Sequence, residues 1–176
     1  MGLFPPDAGL RIERLSMQPG GSRFDLRAGS RMLGTFQLPA LGLHNVLNAA
    51  AAVAVCLELD VAVERIRQAL ASFVGVERRF QVRGREREIT VADDYGHHPT
   101  EVKATLAAAR LGGFRRIHVV FQPHRYTRTA QLADEFAGAF GEADTVAVLD
   151  IYAASEKPIP GVTAEALAEK IRLAGQ

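Results

Sequence analysis

The second half of the sequence alternates short β-branched runs with helical segments, and this alternation constrains the fold more than any other feature. Three runs are typical of strands, and each is followed by a helical pattern: "EITVA", "RRIHVVF" and "DTVAVLD" precede "PTEVKATLAAARL", "RTAQLADEFAGAF" and "TAEALAEKIRLA". Such alternation predicts an α/β fold in which three parallel strands are joined by right-handed crossovers.

The first part of the chain follows a different pattern. Three short strand-like runs are separated by glycine-containing turns, which predicts an antiparallel meander: "LRIERLSM", "SRFDLRA" and "RMLGTFQL". The next segment, "GLHNVLNAAAAVAVCLELD", is apolar on nearly all sides and predicts a buried helix. A second helix is predicted over "VAVERIRQALASF", where Val63, Ile66, Leu70 and Phe73 recur at helical spacing.

The arginine-rich segment "VGVERRFQVRGRERE" interrupts the helical pattern, and we place a domain boundary near residue 77. The sequence therefore predicts two domains, residues 1–77 and residues 78–176. A charge run of this kind is typical of a solvated hinge and hairpin. The alternative is that it presents a surface to an interaction partner.

The composition excludes several classes of protein. With 21 basic and 20 acidic residues the net charge is +1, which gives no case for a nucleic-acid or membrane partner. No apolar run approaches the roughly 20 residues of a membrane-spanning helix. The opening "MGLFPPDAGL" lacks the basic start and apolar core of a secretory signal. A single cysteine, Cys56, fits a reducing compartment, so we expect a soluble cytoplasmic protein.

Polar side chains follow each of the three predicted parallel strands. The segments are "DDYGHHP", "QPHRYTRT" and "DIYAASEKPI", whereas the loops at the opposite ends of the strands are short and plain. The carboxyl ends of parallel strands meet at one edge of a sheet, which is where ligands bind in such folds. We therefore predict a ligand site along this edge, which we call the rim.

The first rim segment divides into a helix start and a remainder. Pro99 and Glu101 suit the first turn of a helix. The adjacent histidines leave an extended chain in opposite directions and match no metal-ligand spacing, so no metal site is predicted. Asp94, Tyr95 and His97 are not explained by folding, and an aspartate at a strand end commonly binds sugar hydroxyls.

Two further pairs are candidates for binding. Arg125 and Arg128 lie three residues apart at a predicted helix start, where guanidinium and backbone N–H groups favour a carboxylate or phosphate. The alternative is two solvated arginines. Asn45 and Asn48 share one face of an apolar helix, where they can either cap backbone groups or contact a base edge.

Four strings, in order, resemble those of the ATP-dependent Mur ligases of peptidoglycan synthesis: "GVERRF", "DDYGHHPTEV", "FQPHRYTRT" and "DIYAASEKPIPGV". The resemblance runs from about residue 38 to residue 162. It implies a Rossmann-like parallel-sheet C-terminal domain over residues 78–176, truncated before its last strands. That domain would be preceded, over residues 1–77, by an α+β remnant of the central ATP-binding domain.

The resemblance also implies roles for the candidate residues. Asn45 and Asn48 would approach the adenine of ATP. Arg79 would reach its phosphates, and Asp94 its ribose. The substrate side would be formed by Tyr95, His97, Arg125 and Arg128.

The implied reaction has two steps. ATP phosphorylates the lactyl carboxylate of UDP-N-acetylmuramate, and the amine of L-alanine then attacks the acyl phosphate. Mg²⁺ and arginine charges would stabilise the phosphoryl oxygens, and the catalytic residues would be Arg79, His97, Arg125 and Arg128.

The sequence also departs from the family. It contains no G-x-x-x-x-G-K-[ST] loop, and its only lysines are Lys103, Lys157 and Lys170. The P-loop, the Mg²⁺ ligands and the UDP-binding domain are expected upstream, so we hypothesise that this chain is inactive alone. The alternatives are the recycling ligase that joins a tripeptide to the same sugar nucleotide, and a non-catalytic nucleotide-binding α/β module.

Overall fold

The computed structural model describes residues 9–18 and 20–175. These form two compact units, one reaching Glu77 and including residues 111–113, the other comprising residues 78–110 and 114–175. Each unit has its own apolar core. Residues 1–8, which carry most of the opening stretch examined for a secretory signal, lie outside the described residues.

The first unit contains the predicted antiparallel meander, which is confirmed. Its strands pair in sequence order, with Phe24 directly opposite Phe36 and their rings stacked 6.1 Å apart: β1 (Leu10–Gln18), β2 (Gly21–Ala28) and β3 (Arg31–Leu38). Both rings are fully buried. Gly21 is required where β2 begins, because a Cβ there would overlap the carbonyl oxygen of Leu38.

Two helices follow the meander, α1 (Leu43–Glu58) and α2 (Val63–Ala71). The prediction of a buried helix holds for only one face of α1, since Val55 is 59% exposed. One face of α1 joins the core of the sheet through Val46, Ala49, Ala50 and Val53. The opposite face is apolar because it contains alanines, and such small apolar side chains are common at protein surfaces.

The second unit opens with a hairpin formed by β4 (Gln81–Glu86) and β5 (Ile89–Asp93). Its two-residue turn, Arg87 and Glu88, has positive φ at both positions, as a type I′ turn requires. The hairpin prediction for the arginine-rich segment is confirmed. The prediction that "EITVA" joins the parallel sheet is wrong, because β5 pairs antiparallel with β4 within the described residues.

The parallel sheet itself is present as two strands, β6 (His118–Phe121) and β7 (Thr145–Val148). The predicted helices before β6 and after β7 are confirmed as α3 (Pro99–Leu111) and α6 (Ala164–Leu173). They pack against the sheet in one core cluster, whose large members include Leu106, Phe121, Phe136, Phe140, Leu167 and Ile171. The fold is therefore α/β with a parallel sheet, as predicted.

The single helix predicted over "RTAQLADEFAGAF" is divided in the structure. The chain forms α4 (Tyr126–Gln131) and α5 (Ala133–Ala137), and Leu132 between them has ψ of 16°. Threonines in α4 and Gly138 after α5 weaken a continuous helix over this span. Phe136 in α5 still reaches the core, so the division leaves the apolar packing intact.

Among the described residues, no helix combines the length and the apolar character needed to cross a membrane.

Candidate functional site

The three rim segments lie together, as predicted, although the first follows β5 and not a strand of the parallel sheet. His124 and Tyr152 form a parallel bridge just beyond β6 and β7. A row of four rings then links the segments, with centroids 5.2 Å apart for Tyr95 and His97, 5.9 Å for His97 and His124, and 5.4 Å for His124 and Tyr152. The rim is thus a continuous surface of polar aromatic side chains within the second unit.

Asp94 fastens the first segment to the chain that precedes β4. Its carboxylate accepts hydrogen bonds from the backbone N–H of Phe80 at 2.8 Å and of Gly96 at 2.7 Å. A Cβ at Gly96 would lie 2.8 Å from Asp94 Oδ1, so the glycine permits this close approach. Both carboxylate oxygens therefore have a structural role, which sequence reasoning did not foresee.

The chain that precedes β4 also holds Tyr95, through contacts of Arg78 with the backbone and with the ring of the tyrosine. Its N–H donates to the carbonyl oxygen of Arg78 at 2.6 Å, and the Arg78 guanidinium carbon lies 4.7 Å from the ring centroid. The side chain is nevertheless 44% exposed. Tyr95 thus presents its ring at the rim while its backbone is fixed.

His97 has a defined tautomer when it is neutral. Its Nδ1 lies 2.9 Å from the carbonyl oxygen of Tyr95, and a carbonyl accepts hydrogen bonds but does not donate them. Nδ1 therefore carries the proton, and Nε2 keeps its lone pair. The ring can offer this lone pair to a donor bound at the rim.

The helix-start interpretation of the second half of "DDYGHHPTE" is confirmed. Glu101 Oε2 accepts from the N–H groups of His97 at 3.0 Å and His98 at 3.1 Å, and His98 Nδ1 accepts from the N–H of Thr100. Burial alone would raise the pKa of Glu101, but these hydrogen bonds and one from Arg79 outweigh it and lower the pKa. Glu101 thus remains an anion that caps α3.

Arg79 lies beside this cap. Its Nη1 is 3.3 Å from Glu101 Oε1, and its side chain is 48% exposed. A half-exposed ion pair of this length is weak. The guanidinium can therefore turn towards another anion at little cost.

Arg125 and Arg128 flank the start of α4, as predicted. Arg128 Nη1 donates to His124 Nδ1 at 3.3 Å, so neutral His124 carries its proton on Nε2. Burial, followed by the charges of Arg128 and Arg125, lowers the pKa of His124. The exposed Arg125 guanidinium has no hydrogen bond or ion pair to the part of the chain that the structure describes.

The prediction that free N–H groups at this helix start help to bind an anion is wrong. Glu156, from the third segment, accepts from the Thr127 N–H at 3.0 Å and from the Thr127 hydroxyl at 2.7 Å. Those two hydrogen bonds lower the pKa of Glu156, and the charge of Arg125 lowers it further. The anion at the start of α4 is therefore a carboxylate of the chain itself. An external anion would bind to the guanidinium groups of Arg125 and Arg128.

Sequence reasoning missed His124, Tyr152 and Glu156. The first two were detectable, since each follows one of two neighbouring parallel strands within a few residues and so must reach the same edge of the sheet. Glu156 gave no such signal, because its contact depends on the path of the loop.

Asn45 and Asn48 belong to the first unit. Asn45 Nδ2 donates to the carbonyl oxygen of Leu41 at 2.7 Å, which is the capping alternative. Asn48 is exposed, and its amide has no hydrogen bond to a described residue. The two side chains are thus not equivalent, and Asn48 is the one whose amide is available to a ligand.

The described residues include no group of three histidine, cysteine, aspartate or glutamate side chains that could hold a metal ion. Mg²⁺ prefers carboxylate and water oxygens. The carboxylates of Asp94, Glu101 and Glu156 are already bound to backbone N–H groups. The described part of the rim therefore presents no group of side chains that could hold Mg²⁺.

Replacing Asp94 by asparagine should destabilise the second unit. Asparagine keeps one oxygen but turns an NH₂ group towards a backbone N–H, so one of the two N–H groups loses its acceptor. We expect the free energy of unfolding to fall by about 1–3 kcal/mol in urea denaturation. Asp150→Asn, which changes an exposed carboxylate, is the control. Equal stability of Asp94→Asn and wild type would contradict the structural role of Asp94.

The pKa of His124 gives a test of the charges at the rim. In an NMR titration its ring should take up a proton at lower pH than the ordinary value of 6.5, because burial and the two arginines disfavour the cation. Arg128→Gln should raise this pKa, whereas Arg116→Gln, at the opposite end of β6, should not. A midpoint that is unaffected by Arg128→Gln would show that Arg128 does not act on His124.

The comparisons with known proteins agree with one another. The model of the Mur ligase, glutamate ligase domain matches residues 78–176. The UDP-N-acetylmuramate–L-alanine ligase of Solibacter usitatus is 63% identical over 161 residues, which is 92% of this chain and 34% of that protein.

Two solved structures resemble the chain. The UDP-N-acetylmuramate–alanine ligase of Thermotoga maritima gives a TM-score of 0.80 at 29% identity, covering 96% of this chain and 36% of that one. A murein peptide ligase from Psychrobacter arcticus gives a TM-score of 0.59 at 26% identity, covering 96% and 34%. The chain spans about a third of the length of the curated relatives that it matches. The match over more than half of its residues establishes that the chain belongs to the Mur ligase family.

Proposed function

We propose that this chain forms the amino-acid-binding part of an ATP-dependent ligase of peptidoglycan synthesis. The ligase joins L-alanine to the lactyl carboxylate of UDP-N-acetylmuramate. The observation that carries this proposal is the rim, where two arginines adjoin a row of polar rings in a chain 63% identical to a ligase of that name. We assign the protein to the cytoplasm, where its nucleotide substrates occur.

Arg125 and Arg128 bind the carboxylate of L-alanine in this proposal. Guanidinium groups match a carboxylate in charge and in geometry, and a charge-assisted pair of this kind is stronger than a neutral hydrogen bond. The Arg125 guanidinium is exposed, and Arg128 is turned towards neutral His124, so neither is neutralised by a direct ion pair within the described residues. That arrangement supports a bound anion.

Tyr95 and His97 face the amine of L-alanine and the reacting carboxylate. Neutral His97 keeps a lone pair on Nε2, which can accept a hydrogen from the amine. Burial and the charges of Arg128 and Arg125 lower the pKa of its neighbour in the ring row, His124, which disfavours a cation there that would repel an ammonium group. The rim can thus hold an amino acid by both of its ends.

Four residues are assigned to the nucleotide. We propose that residues 1–77 are the C-terminal portion of the central ATP-binding domain and residues 78–176 the C-terminal ligase domain. Asn48, and Asn45 through its remaining carbonyl oxygen, approach the adenine. The half-exposed Arg79 contacts the phosphates. Asp94 contacts the ribose through the lone pairs that its two backbone hydrogen bonds leave free.

The chemistry proceeds through an acyl phosphate. An oxygen of the lactyl carboxylate attacks the γ-phosphorus and ADP leaves; the amine of L-alanine then attacks the acyl carbon, phosphate leaves and the amine loses a proton. Positioning and electrostatic stabilisation supply most of such catalysis, to which arginine charges contribute directly. Mg²⁺ is expected to be held by residues of the longer enzyme.

The recycling ligase is the alternative within the family. It is less well supported, because the murein peptide ligase structure matches with a TM-score of 0.59 against 0.80 for the alanine ligase.

Substituting the two arginines should weaken the binding of L-alanine. Each loses a charge-assisted hydrogen bond of about 1.5–3 kcal/mol, so Arg125→Gln and Arg128→Gln should each raise the dissociation constant about tenfold or more. An NMR titration of the chain with L-alanine measures this. Arg116→Gln, at the opposite end of β6, is the matched control. Binding that is unchanged in both rim variants would contradict the proposed subsite.

The chain by itself should not release ADP from Mg-ATP in the presence of UDP-N-acetylmuramate and L-alanine. Its 176 residues contain no G-x-x-x-x-G-K-[ST] loop to hold the phosphates. The alanine ligase of Solibacter usitatus under the same conditions is the positive control. Turnover by the isolated chain would show that phosphoryl transfer needs no P-loop here.

A further inference from the structure

The third rim segment contains a turn whose backbone is unusual for its residues. The N–H of Glu156 donates to the carbonyl oxygen of Ala153 at 3.0 Å, and the two residues between them have positive φ, 46° at Ala154 and 70° at Ser155. Alanine and serine rarely adopt this conformation, which glycine and asparagine favour. Such strain persists only where the surrounding structure holds it.

The turn directs Glu156 to the start of α4. Its carboxylate accepts both the N–H and the hydroxyl of Thr127, so both oxygens are bound to one residue of the first helical turn. Thr127 lies between the two rim arginines in sequence. Any movement of Glu156 therefore acts on the backbone that carries Arg125 and Arg128.

Arg125 is itself strained, with φ of 75°. Its N–H donates to the carbonyl oxygen of Tyr152 at 2.8 Å, and its carbonyl oxygen accepts from the N–H and the hydroxyl of Thr129. The third rim segment thus binds the N–H of Arg125 through the carbonyl oxygen of Tyr152. It binds the first turn of α4 through Glu156. Without these ties Arg125 would relax to negative φ, which would redirect its guanidinium.

We propose that Glu156 is a positioning residue, which fixes the first turn of α4 so that Arg125 and Arg128 are oriented to bind the carboxylate of the amino-acid substrate. The inference rests on the proposed function, since it concerns the same subsite. Glu156 contacts neither the substrate nor the reacting atoms; it acts through Thr127. The loop after β7 thereby controls the arginines that follow β6.

Two simpler roles for Glu156 predict different results. If the carboxylate only competes with the substrate for the arginines, its removal should tighten binding, because a negative charge near Arg125 is lost. If it only caps a helix, its removal should lower stability and leave binding unchanged. A positioning role alone predicts weaker binding after the negative charge is removed.

The test compares Glu156→Gln with Thr163→Ala in the 176-residue chain. Thr163 caps α6 through a hydrogen bond from the N–H of Ala166, so its substitution removes a helix cap of the same kind away from the arginines. Melting temperature and L-alanine affinity are measured for each variant, the latter by NMR titration. The Nε–H signals of Arg125 and Arg128 are recorded without ligand.

We expect both variants to melt at lower temperature, but only Glu156→Gln to raise the dissociation constant for L-alanine, by about tenfold. It should also shift the Nε–H signals of both arginines in the free chain. Thr127→Val, which removes only the hydroxyl hydrogen bond, should also raise the dissociation constant for L-alanine, but by less.

The outcomes separate this inference from the proposed function. If wild type binds L-alanine and Glu156→Gln binds it equally or more tightly, the positioning role is wrong and the proposed function stands. If wild type does not bind L-alanine, the proposed function fails for this chain. In that case arginine signals that are unchanged in Glu156→Gln also overturn the positioning role.

Discussion

The rim depends on a parallel hydrogen-bond ladder that continues beyond the two strands that begin it. β6 and β7 pair from His118 and Thr145 to Phe121 and Val148. The ladder then extends through Leu149 N–H to Phe121 O, Tyr152 N–H to Pro123 O, and Arg125 N–H to Tyr152 O, at 2.8–2.9 Å. Because these bonds keep the two loops in register, His124 and Tyr152 lie side by side. Buried aromatic side chains beneath the sheet support this ladder.

Carboxylates fix the loops of the rim, while its arginine, histidine and tyrosine side chains are at least partly exposed. Asp94 binds the N–H groups of Phe80 and Gly96, Glu101 binds those of His97 and His98, and Glu156 binds Thr127. Each of these three acids thus accepts at least one hydrogen bond from a backbone N–H. Because these carboxylates bind groups of the loops, the rim is positively charged at Arg125 and Arg128 even though the net charge of the chain is low. The described residues include no group of three acidic, histidine or cysteine side chains that could hold a metal ion.

Patterns that rest on local chemistry were predictable. Pro99 and the glycines after Leu111 define α3, and Thr163 begins α6, so both helices match the sequence prediction closely. The meander also follows from its turns and alternation. For the second and third segments, the rim followed from one topological rule, that parallel strands present their carboxyl ends at one edge; the first segment follows β5, to which this rule does not apply.

The features that were missed depend on tertiary contacts. "EITVA" looks like any buried strand, and only its pairing with β4 distinguishes a hairpin from a sheet strand. The alanines of α1 are compatible with a buried or an exposed face, and the sheet covers only one. Glu156 reaches α4 because Ala154 and Ser155 adopt positive φ, which their residue types do not indicate. A carboxylate on a loop therefore filled the helix start that had been predicted to bind an external anion.

The most direct measurement of the central claim is an isotope-filtered NMR experiment on the chain with L-alanine. It detects nuclear Overhauser effects between the ligand and the ring protons of the protein, which arise only between protons that are close in space. The account predicts effects from the methyl and α protons of L-alanine to His97 and His124. Effects confined to residues away from the rim, with none to either ring, would contradict it.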